Sequence, residues 1–395
     1  MRYRKILHID LDAFFCSVEE ILDPHLKGTV FATGGSPDSR GVVTSCSYAA
    51  RHRGIHSAMP MKIALQKVPG LKVVHGHYGQ YHDYSVRVMA ILADTTPLIE
   101  QISIDEAFID VTDMPQTGMQ IASMLQTHIA QEVGLPCSIG IASNKLVAKI
   151  ATNVAKSSYK GEQSPRAILE VPAGQESAFL APLPIEELWG IGKKSAARFR
   201  QLGFEHIGDL ANAPQDFLEK EVGRFAATLK LRALGNDERP VGLEGDIKSI
   251  SNEVTFGKDI TDEEEILRTL RALSEKVAAR LRAQGLCGKT IRLKIRWPDF
   301  ETHSRQMSLQ QPTNHDTVIF NTIVQLLYEV WKPGKKVRLL GVAAANLSTT
   351  VQQLSILDTS FQKEDQLLKA IDDLKKRFGR DVIKRGWNLE DDRRR

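Results

Sequence analysis

Cysteine is scarce and unpatterned in this 395-residue sequence: Cys16, Cys46, Cys137 and Cys287 lie far apart, and no two stand in CxxC spacing. That argues against a zinc site and a disulfide framework, and it fits small buried thiols in a reducing compartment. No apolar run approaches the roughly 20 residues that a membrane-crossing helix needs. The basic start at 1–5 reaches His8 and Asp10 too soon for a secretory leader. A cytoplasmic protein without a membrane partner is therefore expected. Neither sign of charge dominates, with 52 Lys and Arg against 48 Asp and Glu. Any attraction for nucleic acid must then come from local basic stripes rather than from bulk charge. Low-complexity tracts are absent too, so the whole chain is free to fold, and its length predicts about two to four domains.

What is present is an α+β pattern that occurs twice. A strand is expected over 5–11, a helix over 14–22, a helix over 81–92, a strand–turn–strand over 98–111, a helix over 120–133, a strand over 137–142, a helix over 144–156 and a strand over 167–171. With the mixed segment 25–78 set aside, this describes a sheet with helices on one side. Residues 175–236 read as helical with glycine-rich turns. A second β-α-β-β-α-β unit follows, with strands over 248–259, 290–297, 303–309 and 337–345 and helices over 263–283 and 316–331. The tail, 349–395, reads as a short docking word and an amphipathic helix.

Two acidic words stand in apolar, strand-like surroundings: Ile9-Asp10-Leu11-Asp12 and Ser103-Ile104-Asp105-Glu106-Ala107. An ionised carboxylate there is costly unless a cation meets it. On a strand Asp105 and Glu106 would point to opposite faces, but at a hairpin tip both can reach one ion. Asp10, Asp105, Glu106 and the Leu11 carbonyl form a hard-oxygen set suited to Mg²⁺. Two such ions roughly 3.5–4 Å apart are a device for phosphoryl transfer. Asp12 reads instead as the N-cap of the helix that begins at Phe14, and Asp110 and Asp113 as strand-end and turn residues.

On that helix Phe14, Val18, Ile21 and Leu22 form the core stripe, and Phe15 falls roughly 100° away beside the acidic end. A large ring there can stack on a sugar and exclude a 2′-hydroxyl by bulk. Tyr48 and Arg51, at i and i+3, offer a hydroxyl and a guanidinium fork to a triphosphate. Lys145, Lys149 and Lys156 fall within roughly 40° of one another on one helix, a stripe suited to DNA phosphates. Gly190 and Gly192, followed by Lys193, sit in a hairpin-like word that opens backbone N–H groups to a phosphate. Along a later strand Arg292, Lys294 and Arg296 alternate with Ile291, Leu293 and Ile295, giving a basic outer row over an apolar inner one.

These words together resemble the Y-family translesion DNA polymerases across nearly the whole chain. The matching words are Asp10-Leu-Asp-Ala-Phe-Phe15, Ser47-Tyr-Ala-Ala-Arg51, Ser57-Ala-Met-Pro-Met61, Ser103-Ile-Asp-Glu-Ala-Phe108, Ser138-Ile-Gly-Ile-Ala-Ser-Asn-Lys145 and Trp189-Gly-Ile-Gly192. The resemblance implies a right-hand architecture. It comprises a ferredoxin-like palm (1–22 and 77–168), small fingers (23–76), a helical thumb with a helix-hairpin-helix (169–237), a little-finger domain (241–348) and a tail (349–395). It implies Asp10, Asp105 and Glu106 as catalytic metal carboxylates binding two Mg²⁺ ions, with Leu11 assisting. Phe15 becomes the steric gate, and Phe14, Tyr48, Arg51 and Lys156 join it as nucleotide-binding positions. Primer–template DNA and dNTP are the implied partners of a monomer that bypasses lesions with low fidelity and no proofreading.

Gln353, Leu354, Ser355, Ile356 and Leu357 look like the family's sliding-clamp-binding peptide, with Leu357 where an aromatic is usual. Other departures are Ala49 in place of a frequent Glu, and Ser157-Ser158 where Pro is common. The alternative on the same words is a catalytically inactive DNA-binding scaffold; a nucleotide cyclase sharing the metal layout would need neither the hairpin word nor the basic second unit.

Overall fold

A computed structural model describes residues 3–242, 247–349, 359–379 and 382–383. The chain divides into two compact units, Met1–Glu244 and Gly245–Arg395.

The first unit is organised by a five-stranded sheet. Its elements are β1 (Ile6–Leu11), α1 (Phe14–Leu22), an insert made of β2 (Phe31–Gly34), β3 (Val43–Cys46), α2 (Tyr48–His52), α3 (Met61–Lys67) and β4 (Lys72–Val74), and then α4 (Tyr78–Thr95). There follow β5 (Ile99–Gln101), β6 (Glu106–Asp110), α5 (Gly118–Glu132), β7 (Cys137–Ala142), α6 (Lys145–Ser158) and β8 (Ile168–Glu170). The strand order is β5-β6-β1-β7-β8, with β1 central and antiparallel to both neighbours. The insert makes its own three-stranded sheet, β3-β2-β4, over a small core that includes Val43, Ile55, Met61 and Leu71.

Strand alternation gives the five-stranded sheet two unlike faces. Leu7, Ile9, Leu11, Ala107, Ile109, Ile139 and Ile141 point to one face and pack with α1, α4 and α5. The opposite face carries Ile6 and Phe108, and α6 lies across it. Helices therefore cover both faces, which corrects the expectation of helices on one side. Apolar periodicity shows that α6 is buried but not on which face it lies. Gly140 explains how closely α6 can lie: a Cβ there would come within 2.0 Å of the Ala148 carbonyl oxygen.

The outer side of α6 packs on five short helices: α7 (Glu176–Leu180), α8 (Lys193–Gln201), α9 (Ile207–Asn212), α10 (Gln215–Val222) and α11 (Ala226–Ala233). Leu146, Val147 and Ile150 share a core with Leu180, Leu188, Phe199 and Leu210.

The second unit comprises β9 (Ser249–Ile260), α12 (Glu263–Ala283), β10 (Leu286–Arg296), β11 (Thr302–Thr313), α13 (Asp316–Val330), β12 (Val337–Thr349) and α14 (Thr359–Phe378). Its antiparallel sheet runs β11-β10-β12-β9. The inner face, with Ile291, Leu293 and Ile295 at most 1% exposed, packs on α12 and α13. Arg292, Lys294 and Arg296 stand on the other face, as their alternation predicts. All four cysteines are buried free thiols. Among the described residues no helix is long and apolar enough to cross a membrane.

Candidate active site

The acidic words meet at one end of the β1–β6 ladder. Asp10 on β1 is the direct cross-strand partner of Glu106, the first residue of β6. Asp105 lies in the turn just before Glu106, and its carbonyl accepts the Leu11 N–H at 3.0 Å. The hairpin reading is thus borne out: the turn brings Asp105 beside a pair that strand register has already aligned.

All of this lies on the sheet face that α6 covers, and the lysines of α6 turn inward to it. Lys156 Nζ donates to Asp10 at 2.5 Å and sits 3.3 Å from Asp12. Lys149 Nζ donates to Glu106 at 2.6 Å, and Lys145 Nζ to Glu100 at 2.7 Å. The expected outward stripe of Lys145 and Lys149 on DNA phosphates is corrected here. Lys145 is buried, and both ammoniums are engaged by carboxylates of the sheet. Spacing on a helix cannot tell a solvated stripe from one that faces buried acids.

Asp12 is not a helix cap. It has no exposed surface; its carboxylate accepts from the Ser138 hydroxyl at 2.9 Å and from the Arg166 backbone N–H at 3.1 Å. Ala13, in a left-handed conformation, occupies the N-cap position without a side-chain bond. Burial raises the Asp12 carboxyl above its ordinary value, and Lys156 and Ser138 counter only part of that.

His8 was not among the expected site residues. It shares a face with Asp10, is fully buried, and pairs Nδ1 with the Thr152 hydroxyl at 2.9 Å. Burial pushes its pKa down, and its Nε2 faces Lys149 at 3.5 Å and Glu106 at 3.8 Å. The signal was legible, since His8 and Asp10 alternate with Leu7, Ile9 and Leu11 in one strand.

The charges are uneven in a way that suits a cation. Burial would raise the Glu106 carboxyl, yet His8 and Lys149 hold it well below its ordinary value. Asp105 goes the other way, raised first by burial and then by Asp10 and Glu106. Its partner is the Ser103 hydroxyl at 2.6 Å, and no cation meets it among the described residues. Among those residues, no three acidic, histidine or cysteine side chains are grouped around one point as metal ligands.

Phe14, Phe15, Tyr48 and Arg51 belong to the same unit as this centre. Phe15 is half-buried, stacked on Tyr81 with ring centroids 4.4 Å apart. Phe14 is 2% exposed in the core, which leaves only its backbone for a nucleotide contact. The Tyr48 hydroxyl is buried with no hydrogen-bond partner, and its pKa is pushed up to about 12 by burial and by Asp12. Arg51 lies over the Tyr48 ring, 4.7 Å from its centroid. Gly190 adopts a φ of 103°, which only glycine tolerates readily, and Gly192 caps α8 with Lys193 exposed beside it. In the second unit Arg292 is held by Gln306, Lys294 by Glu253 at 2.7 Å, and Arg296 by Thr302. The expected clamp-binding peptide, 353–357, lies outside the described residues.

Three family models match this chain: the impB/mucB/samB family over residues 9–153, its C-terminal domain over 247–356, and the helix-hairpin-helix motif of the same family over 175–204. The chain belongs to this family, the Y-family DNA polymerases. It is 38% identical to the DNA polymerase IV of Dehalococcoides mccartyi (strain CBDB1), covering 99% of this chain and 100% of that one. Among solved structures it is similar to a Y-family DNA polymerase chimera of Dbh and Dpo4, with a TM-score of 0.77 and 26% identity over 87% of this chain and 99% of that one. The insertion ternary complex of Dbh DNA polymerase matches with a TM-score of 0.62 and 25% identity over the same shares.

Proposed function

We propose that this chain catalyses template-directed addition of deoxynucleotides to a primer 3′ end and bypasses damaged template bases. The observation that carries the reading is the register pairing of Asp10 with Glu106, with Asp105 beside them lacking a cation. Two carboxylates aligned by register and a third in the adjoining turn, together with the Leu11 carbonyl, are hard oxygen donors that would hold two Mg²⁺ ions once drawn in around them. When bound, such ions supply Lewis acidity to the primer hydroxyl and to the phosphates.

The protein's own groups do the rest. Arg51 and the unpartnered Tyr48 hydroxyl receive the triphosphate, joined by Lys156 when its ammonium moves off Asp10 and Asp12, and Phe15 excludes a 2′-hydroxyl. The primer 3′-oxygen then attacks the α-phosphorus and pyrophosphate leaves. In this reading 1–22 and 77–168 serve as palm, 23–76 as fingers, 169–237 as thumb and 241–348 as little finger. The N–H groups at Gly190, Gly192 and Lys193 and the Arg292–Lys294–Arg296 row track the DNA backbone, which positions it without reading sequence. Residues 353–357 serve as a clamp-binding peptide. The exposed small side chains Ser57 and Ala58 of the insert would leave room for distorted bases, in keeping with low fidelity, whereas Ala49 and Ala50 are buried.

The test is primer extension on undamaged and damaged templates with dNTPs and Mg²⁺. The wild-type chain extends both and Asp105→Ala extends neither while still binding DNA. Retained turnover by Asp105→Ala would overturn the metal assignment.

A further inference from the structure

Behind Phe15 lies a second buried polar cluster that the chemistry above does not use. Glu19 follows Phe15 by one turn of α1, so the two share a helix face. The Glu19 side chain is only 2% exposed. A carboxylate so buried is costly unless well partnered, and donors converge on it from the start of α4. The Tyr81 hydroxyl donates to Oε1 at 2.5 Å, and the His77 backbone N–H donates to the same oxygen at 3.1 Å. His77 Nδ1 lies 3.0 Å from Oε2.

Tyr81 connects this cluster to Phe15. Its ring stacks on Phe15 at 27° between planes, and Tyr78 meets both rings edge-on, at 6.1 Å from Phe15 and 5.4 Å from Tyr81. The ring that backs Phe15 is therefore pinned at its phenolic end. Burial and the adjoining carboxylate push the Tyr81 phenol well above its ordinary value, so the hydroxyl stays a donor. A group that excludes a hydroxyl by bulk works only if it cannot recoil by a few tenths of an ångström, and that depends on its supporting contacts.

We propose that Glu19 is a positioning residue for sugar selection, holding Tyr81 and His77 so that Phe15 presents an unyielding face to the sugar of the incoming nucleotide. The role rests on the reading of Phe15 as the group that excludes a 2′-hydroxyl. It differs from a purely structural tie between α1 and α4 in what it should change: the ratio of deoxy- to ribonucleotide use rather than turnover as a whole.

The experiment is single-nucleotide insertion opposite template dG by the full chain, with kcat and KM measured for dCTP and for CTP. Phe15→Ala is the reference and should lower sugar discrimination by about a hundredfold. Glu19→Ala and Tyr81→Phe should lower it by roughly five- to tenfold, through better use of CTP, with dCTP kcat/KM within about threefold of wild type. Glu19→Gln, which keeps an acceptor oxygen for Tyr81, should restore most of the discrimination.

If Phe15→Ala relaxes selection while Glu19→Ala and Tyr81→Phe do not, the positioning role is wrong and the gate stands. The positioning role fails equally if those two variants lower dCTP and CTP use in the same proportion. Unchanged discrimination in Phe15→Ala removes the gate and, with it, the role of Glu19. Should Glu19→Ala fail to fold, Tyr81→Phe, which removes one oxygen and little volume, decides alone.

Discussion

The two large sheets of this protein treat charge in opposite ways. In the first, His8, Asp10, Glu106 and Asp12 are buried or half-buried beneath α6, each matched to a group from a distant part of the chain. In the second, the face packed on helices is apolar throughout its centre, and Arg292, Lys294 and Arg296 stand on the open face. Low-dielectric surroundings strengthen an electrostatic interaction and penalise an unpaired charge. A site that stabilises developing charge gains from such surroundings. A surface that only follows phosphates works in water, where the contacts are weaker and salt-sensitive. On the proposed reading, the first sheet houses the reaction and the second follows the DNA backbone.

The sharpest way to break that contrast is at Asp105. Asp105→Ala removes a carboxylate raised by burial and by its acidic neighbours, so the fold should keep its stability or gain slightly. Extension should fall by on the order of a thousandfold, the scale of several kcal/mol of lost charge stabilisation. Steady-state incorporation and a denaturation curve, measured together, check both halves.

Lys149 tests the other side of the same face. The Lys149–Glu106 pair is mostly shielded, with side chains 14% and 25% exposed. Lys149→Met keeps the stem and removes the charge, leaving Glu106 beside Asp10 and Asp105. A loss of about 1–3 kcal/mol of stability is expected, discounted for partial exposure. Magnesium should then raise the variant's Tm more than the wild type's, because the ion replaces a missing positive charge. Equal shifts in both would show that Lys149 and the cation do not share a site.

On the second sheet the expected effect is smaller and of another kind. Arg292→Ala and Arg296→Ala should each lower the slope of log affinity for DNA against log salt by about 1. Incorporation at saturating DNA should stay unchanged. A drop in the chemical step would erase the distinction between the two sheets.

How much of this was legible beforehand follows from the same contrast. The second unit was readable almost strand by strand, because one apolar face and one polar face produce plain alternation from Ile291 to Arg296. The hairpin at Asp105 and the offset of Phe15 from the Phe14 stripe were readable for a similar local reason. What failed was long-range. Asp12 preceding a helix looks like a cap until Ser138 and Arg166 arrive from distant parts of the chain. Lys145 looks like a phosphate contact until β5 brings Glu100 beneath it. Spacing fixes which residues share a helix face, but the partner of that face is set by topology.

The smallest test concerns what keeps α6 over the acidic face, since the second sheet has no helix in that place among the described residues. Asp237 accepts from the Leu146 backbone N–H at 3.2 Å, beside the Asn144 side chain that caps the same helix. It is also paired with Arg239 at 2.7 Å, and its own side chain is 4% exposed. Burial opposes its ionisation, but Arg239 and the Leu146 N–H outweigh it and lower the carboxyl below its ordinary value. A carboxyl lowered on folding adds stability that is fully present above its unfolded pKa. That stability is lost as pH falls through the lowered folded value. Asp237→Asn should therefore cost about 1 kcal/mol at neutral pH, the scale of a helix-end bond to a charged acceptor. The gap between variant and wild type should begin to shrink below about pH 4, where the unfolded carboxyl takes up its proton. It should close only below the lowered folded value, where the folded carboxyl is protonated too. Urea denaturation at pH 7 and again in acid measures it; a gap that persists in acid would mean Asp237 holds α6 by shape rather than by charge.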